Sequence, residues 1–274
     1  MKDAARRAWR RLEPLHGMIY FVPEGSRRYT ELGLNGRSGY FASRSAPMGR
    51  ASADLVIATF YNFCPDLVRR SMKDVWDTVT PEQVLQARHE AAAEALRRAG
   101  VHELPDLEPT LDLARRAAEA ACEHPQGRPL FAAHAALPWP DDPVMALWHA
   151  QTLLREFRGD GHVATLLTEG IGALEALVLH AATGDVPTPF LKISRAWPEE
   201  QWAAAEEGLR ARGLLDGDTL SPDGKALRRH VEDRTDELAL PAYRALGQDG
   251  CERLAELARP FGRRVVDAGL LSLG

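Results

Sequence analysis

Cysteine is scarce in this 274-residue chain, and metal-binding spacing is missing. Its three cysteines, Cys64, Cys122 and Cys251, are far apart, odd in number and form no CxxC pair, which favours neither a disulfide framework nor a zinc framework. An HExxH motif is also absent, and no two His or Cys residues are three or four positions apart. The sequence therefore predicts no metal site and a reducing, cytoplasmic environment.

Long apolar runs and an excess of positive charge are missing as well. No window approaches the roughly 18 apolar residues of a membrane helix, and the first residues contain no apolar stretch of the kind found in signal peptides. Lys and Arg total 34 against 39 Asp and Glu, a net charge of −5. This balance offers no general attraction to nucleic acid or anionic lipid. We expect a soluble cytoplasmic protein without a membrane partner, in which DNA binding would require a local basic patch.

Residues 33–50 are rich in glycine but do not form a phosphate-binding motif. Their spacing fits neither GxGxxG nor GxxxxGK[ST]. Four glycines and one proline predict a loop that carries Tyr40, Phe41 and Arg44 near its middle. Two interpretations of Arg44 stay open: it pairs with a carboxylate in an ordered connector, or it binds an anionic or polar ligand.

What the sequence does contain is a series of amphipathic helical segments. A hydrophobic content of 45% is ample for a buried core. Apolar spacing predicts a first helix over residues 3–21, and Ser52 and Thr80 are typical N-cap residues of later helices. We predict a mostly α fold: a helical N-terminal domain of residues 1–184, then a winged-helix-like domain with a terminal helix at residues 185–274. The Pro-containing segment GDVPTP joins the two.

Residues 144–169 combine an apolar helical stripe with a polar one beside it. The polar stripe consists of Gln151, Arg155, Arg158 and His162. Gly159 and Gly161 interrupt this helix at a cost of about 1 kcal/mol each. We therefore expect either a close approach of backbone or ligand there, or a break after which Asp160 caps a new helix.

A candidate site follows from this segment. His162 titrates near neutral pH and Asp160 could orient it, so we assign both as candidate catalytic residues, with a structural hydrogen-bonded node as the alternative. Aromatic, His and Arg groups within apolar segments are the candidate ligand-binding residues: His16, Tyr20, Tyr40, Arg44, Tyr61, Asn62, Arg155 and Arg158. For His16 the alternative is a core histidine bonded to a carbonyl.

The expected ligand is a small polar or anionic organic molecule. Whether the protein is an enzyme stays open. No cofactor is identified, and haem remains an option because a single axial histidine leaves no spacing signature.

Two resemblances concern the fold. The phrase LRARGLLDGDTLSPDGKALRRHVEDRTD resembles the third helix, wing and following helix of MarR-type winged-helix regulators. Over its full length the chain resembles an actinobacterial helix-turn-helix family without an established activity, through LEPLHGMIYF, GYFASRSAPMG, ATFYNF, LFAAHAALPWP and LLREFRGDGH. These resemblances imply an all-α fold with a winged-helix tail in a bacterial protein, and they carry over no catalytic residue.

The charge of the winged-helix segment disfavours DNA binding. In MarR-type regulators the recognition helix and wing present basic and amide side chains to DNA. Here residues 198–213 contain four glutamates against two arginines, and the wing sequence DGDT contains two aspartates. We therefore favour a module that packs, forms a homodimer or shapes a pocket. A ligand-responsive MarR-like regulator is the alternative, since Lys192, Arg195, Arg228 and Arg229 could form a local basic patch.

Overall fold

The computed structural model describes residues 1–271, and within them the protein is mostly α-helical with one short β-hairpin. Single 3₁₀ turns lie at Met18–Tyr20, Ala46–Met48 and Val101–Glu103. The α-helices and strands follow in chain order: α1 (Lys2–Gly17), α2 (Pro23–Glu31), α3 (Gly36–Ser45), α4 (Ala53–Phe60), α5 (Pro65–Met72), α6 (Val75–Thr78), α7 (Pro81–Arg98), α8 (Leu107–Cys122), α9 (Pro129–Ala135), α10 (Pro143–Thr168), α11 (Ala173–Ala181), α12 (Thr188–Arg195), α13 (Glu199–Ala211), β1 (Leu215–Asp216), β2 (Thr219–Leu220), α14 (Pro222–Arg244) and α15 (Gly247–Asp267).

These elements divide into two compact units. The first contains residues 1–51, 74–160 and those from 236 onward, and the second contains residues 52–73 and 161–235. Helices α10 and α14 each contribute residues to both units. The boundary that the sequence predicts near Asp185 falls inside the second unit.

Side chains at the helix starts explain several boundaries. Thr80 forms a capping box with Gln83, and Pro81 occupies the first turn of α7. Ser52 accepts a hydrogen bond from the Leu55 amide at the start of α4. Both predicted N-caps are thereby confirmed.

The prediction of a loop over residues 33–50 was wrong, because Gly36–Ser45 form helix α3. Asn35 starts this helix by accepting from the amides of Arg37 and Ser38. Gly39 serves close packing: a Cβ added there would lie 2.6 Å from the Cβ of Tyr29 on α2. The glycine therefore permits two helices to approach each other and does not break one of them.

The core of the first unit is built around α1, α15 and α10. A Cβ added at Gly262 of α15 would lie 2.1 Å from the carbonyl oxygen of Arg11, so α1 and α15 pack with their backbones close together. Fully buried side chains from the three helices fill this core, among them Leu12, Leu15, Leu147, Phe157 and Phe261. Burial of each contributes about 1.5–3 kcal/mol.

Helix α10 is continuous from Pro143 to Thr168, so one of the two alternatives for its glycines, a break with a new cap at Asp160, is wrong. The nearest atom to a Cβ added at Gly159 would be the Glu156 carboxylate at 3.6 Å, in the same helix. No close backbone therefore explains Gly159. Packing of the apolar face of α10 in the core offsets the low helix propensity of the two glycines.

The second unit has its own core around Trp202 and Leu209 of α13. Helices α12 and α13 are followed by the antiparallel pair β1 and β2, in which Leu215 faces Leu220. Helix α14 comes next in the chain. The helix expected at residues 198–213 and the strand pair expected at residues 214–220 are confirmed.

Among residues 1–271, no single helix is long and apolar enough to cross a membrane, although the bent pair of α10 and α11 passes the same test together.

Candidate ligand site

Polar and aromatic side chains from four helices and a 3₁₀ turn meet inside the first unit. We call this group of contacting side chains the Arg88 cluster: His16, Tyr20, Tyr40, Arg44, Arg88, Trp148, Thr152 and Glu156. Because α1, α3, α7 and α10 each contribute, the cluster is assembled by packing of segments that are distant in sequence.

Arg88 lies at the base of this cluster, with only 3% of its surface exposed. Its guanidinium carbon is 5.5 Å from the centre of the Tyr20 ring and 5.6 Å from that of Trp148. Its Nε and Nη1 atoms are buried, and no described residue accepts a hydrogen bond from either of them. Leaving a buried donor unsatisfied costs about 1–3 kcal/mol, and more for a charged group. Arg88 is therefore a buried cation whose Nε and Nη1 have no acceptor among residues 1–271.

His16 is hydrogen-bonded through both ring nitrogens. Its Nδ1 lies 2.9 Å from the hydroxyl of Thr152, and its Nε2 lies 2.7 Å from that of Tyr20. Thr152 donates its only hydroxyl proton to the carbonyl of Trp148 at 2.9 Å. Thr152 must therefore accept from Nδ1–H of His16, which makes Nε2 the acceptor for the Tyr20 hydroxyl.

Tyr20, Tyr40 and Arg44 are only half-buried, so the cluster reaches the surface of the unit on their side. Arg44 donates to the Tyr40 hydroxyl at 2.8 Å, and its guanidinium carbon lies 5.4 Å from the centres of both tyrosine rings. The two rings are 5.6 Å apart. The half-buried Tyr20, Tyr40 and Arg44 are thus closer to solvent than the buried Arg88 and His16.

Arg155 borders the cluster on α10. It forms an ion pair with Glu13 of α1, and its guanidinium carbon lies 5.5 Å from the Tyr20 ring centre. Gln151 donates to Glu13 at 3.3 Å, while its own buried Oε1 receives no hydrogen bond from any described residue. Among the described residues, the cluster and its border therefore contain unsatisfied donors, on Arg88, and an unsatisfied acceptor, on Gln151.

Electrostatics favour a neutral His16 in this environment. Burial lowers the pKa of the His16 imidazole well below its usual value, and the charges of Arg88, His134 and Arg44 lower it further. Burial followed by Arg88 likewise lowers the pKa of the His134 imidazole. Three guanidinium groups, of Arg44, Arg88 and Arg155, lie around the Tyr20 ring, while two carboxylates, of Glu13 and Glu156, lie beside Arg155. The excess of positive charge suits an anion.

Two predicted residues of α10 have other neighbours in the first unit. Arg158 donates to Asp236 at 3.0 Å and lies 4.4 Å above the Trp9 ring. Asp160 accepts from the Phe131 amide at 3.0 Å, at the start of α9. Burial raises the pKa of the Asp160 carboxyl to about 6.

The remaining predicted residues belong to the second unit. His162 Nδ1 lies 3.0 Å from the Thr235 hydroxyl. Tyr61 donates to the Ile171 carbonyl at 2.5 Å, and the Asn62 carbonyl accepts from Trp197 Nε1 at 3.0 Å. The first contact joins α10 to α14, and the other two join the residues just after α4 to those just before α11 and α13. The catalytic assignment of His162 and Asp160 stays a prediction.

The structure thus brings five predicted residues together, namely His16, Tyr20, Tyr40, Arg44 and Arg155. Sequence reasoning missed Arg88, Trp148, Thr152 and Glu156. A signal for Arg88 exists, since this arginine interrupts the apolar stripe of Val84, Ala91 and Ala95 on α7. A charged residue in such a stripe is rarely buried without a partner. In residues 1–271, no group of three or more His, Cys, Asp or Glu side chains is arranged to hold a metal ion.

The second unit presents an acidic surface on α13. Glu199, Glu200 and Glu207 are exposed there. Arg210 pairs with Glu206 at 3.4 Å and donates to the Gly217 carbonyl of the hairpin at 3.2 Å. This arginine is therefore occupied within its own unit.

One known protein family matches nearly the whole chain. Residues 5–272 match the model of a family described as helix-turn-helix. The chain belongs to this helix-turn-helix family. Helices α12 and α13, with the short connection between them, lie within the matched residues. No curated protein and no solved structure matches the chain significantly.

Proposed function

We propose that this helix-turn-helix family protein binds a small organic anion in the Arg88 cluster. The proposal rests on Arg88, whose buried guanidinium has two donor atoms that no described residue satisfies. A carboxylate or a similar acidic group beside the guanidinium would accept from one of these atoms and offset the cost of burying the charge.

The aromatic surroundings define the rest of the ligand. The rings of Tyr20 and Trp148 flank Arg88, and that of Tyr40 lies on the more exposed side. Such rings pack well against a planar apolar body. The expected ligand therefore joins an acidic group to a small, flat, apolar part, as an aromatic carboxylic acid does.

Benzoate is a suitable first probe, and calorimetric titration is the measurement. We expect binding by the unmodified protein and a loss of at least about tenfold in affinity for Arg88→Gln. Arg27→Gln is the matched control, because Arg27 is an exposed arginine of the same unit that pairs with Glu94. Equal affinity of the Arg88 and Arg27 variants, or no binding of benzoate even at millimolar concentration, would reject this site.

A ligand-responsive DNA-binding regulator is the second candidate. The family assignment supports this function more directly than it supports ligand binding alone. The order of α12, α13, hairpin and α14 is also that of a MarR-like winged helix, in which α13 would be the recognition helix. The acidic exposed face of α13 opposes this candidate, because each carboxylate near a phosphate adds repulsion.

Fluorescence polarisation with duplex DNA from the upstream region at low salt tests this candidate. A regulator would bind at submicromolar protein, would lose affinity steeply as salt is added, and would change its affinity when benzoate is present. Arg229→Glu in α14 should weaken binding, since Arg229 is exposed. Absence of any polarisation change at micromolar protein in low salt would refute it.

A further inference from the structure

We propose that the Arg88 cluster binds its anion together with one proton, which is taken up by His16. This inference rests on the proposed ligand site and adds the chemical form in which the ligand is bound: the anion of a weak acid plus a proton from solvent.

The starting arrangement is fixed by the direction of three hydrogen bonds. Thr152 donates to the Trp148 carbonyl, Nδ1–H of His16 donates to Thr152, and the Tyr20 hydroxyl donates to Nε2 of His16. Burial raises the pKa of the Tyr20 phenol, against the opposing effect of Arg44 and Arg88. Tyr20 is therefore a neutral phenol whose proton points toward His16.

Protonation of His16 at Nε2 reverses the hydrogen bond to Tyr20. The imidazolium donates through both nitrogens, to Thr152 at 2.9 Å and to the Tyr20 oxygen at 2.7 Å. Tyr20 keeps its own proton, which is now free to be donated to a different acceptor. An anion beside Arg88 would then receive donors from both Arg88 and Tyr20. The only proton added to the system comes from solvent.

A carboxylate is in place to stabilise the imidazolium. Glu156 Oε1 lies 3.9 Å from Nε2 of His16, and both side chains are buried. An opposite charge at this distance favours the protonated imidazole.

Burial, together with the other charged groups that face His16, explains why the proton arrives only with the anion. Arg88 on α7, Arg44 on α3 and His134 on α9 all disfavour a positive charge on His16. An anion at Arg88 would compensate these charges, while Glu156 on α10 and the Tyr20 oxygen remain as partners for the imidazolium. Anion and proton therefore favour each other's binding, and the coupling is reciprocal.

The test measures benzoate affinity of the unmodified protein from about pH 6.5 to about pH 8, where benzoate stays ionised. Uptake of one proton predicts that the dissociation constant rises about tenfold per pH unit. Titration calorimetry in two amine buffers of different ionisation enthalpy should report uptake of one proton per bound benzoate. Binding that is independent of pH and buffer overturns this inference but leaves the ligand site standing, whereas no binding at all removes the ligand site itself.

Two variants assign the proton to His16. In His16→Gln the affinity should become independent of pH, while His149→Gln, which changes a buried histidine outside the cluster, should keep the tenfold slope. Tyr20→Phe should weaken binding by about tenfold, because it removes the second donor to the anion. If His16→Gln does not fold, the buffer experiment on the unmodified protein decides. A slope that persists in folded His16→Gln overturns the assignment.

Discussion

Arg158 and Asp236 form an ion pair at 3.0 Å in which both side chains are largely buried, with 12% and 5% of their surfaces exposed. Arg6 reaches the same carboxylate at 2.9 Å. Two cations from α1 and α10 thus depend on one carboxylate of α14, and the stability of the first unit should depend on this residue.

Asp236→Ala should therefore lower the free energy of unfolding by about 3–5 kcal/mol, because it leaves Arg158 buried without this carboxylate. Urea denaturation followed by circular dichroism measures the change. The control is Arg253→Ala, which removes an exposed pair with Glu256 and should cost less than about 1 kcal/mol. Similar losses in the two variants would mean that the buried pair contributes little.

Arg88→Met should have the opposite effect on stability. It replaces a buried guanidinium that lacks acceptors by an apolar side chain of similar length, so we expect a gain of about 1–3 kcal/mol in the absence of ligand. Affinity for benzoate should be lost in the same variant. A gain in stability with a loss of binding is typical of a residue retained for function. A destabilised variant would instead indicate a structural role for Arg88.

Buried neutral histidines predict a loss of stability in acid. Burial lowers the pKa of His16 and His134 well below the usual value and that of His149 to about 4. Because each folded-state pKa lies below the unfolded one, their contribution is complete above about pH 6.5 and falls as the pH decreases from there. The unfolding free energy should drop by up to about 1.4 kcal/mol per pH unit for each histidine. Urea midpoints between about pH 7.5 and pH 5 measure the slope, and His149→Gln should reduce it.

Asp160 should contribute a pH dependence of opposite sign. Burial raises the pKa of its carboxyl to about 6, so the ionised form costs stability above that pH, and the cost disappears as the pH falls toward 4. Asp160→Asn keeps an oxygen that can accept from the Phe131 amide but carries no charge. We expect this variant to be more stable than the unmodified protein at pH 7.5 by about 1–3 kcal/mol, and equal to it near pH 4. A difference that does not change with pH would contradict this assignment.

Local signals made much of the fold predictable. The starts of α7 and α4 depend on Thr80 with Pro81 and on Ser52. These residues act on groups only a few positions away, so the sequence alone is enough to predict both helix starts. Gly39 misled for the opposite reason. In the sequence, a glycine that makes room for Tyr29 of a neighbouring helix cannot be told from a glycine that bends a loop.

The candidate site was predictable only in part. Tyr20, Tyr40 and Arg44 are conspicuous because they interrupt apolar or small residues. Arg158 was assigned to the site from the periodicity of α10, and Asp160 from its closeness to His162 in sequence. Their partners, Asp236 and the Phe131 amide, are distant in sequence and were not predictable from either pattern. Arg88 was missed because a charged residue in a helix is normally exposed, and its burial results from packing against Trp148 and Tyr20, which are distant in sequence.

The close approach of Gly262 to the Arg11 carbonyl has a consequence for how the protein folds. Of the helices described in residues 1–271, α1 is synthesised first, and α15, against which it packs, is synthesised last. Until α15 is synthesised, this core lacks the buried side chains that α15 supplies, such as Leu254, Ala258 and Phe261. Closing so long a loop is entropically costly and slow, so the first unit should complete its folding only after α15 has left the ribosome.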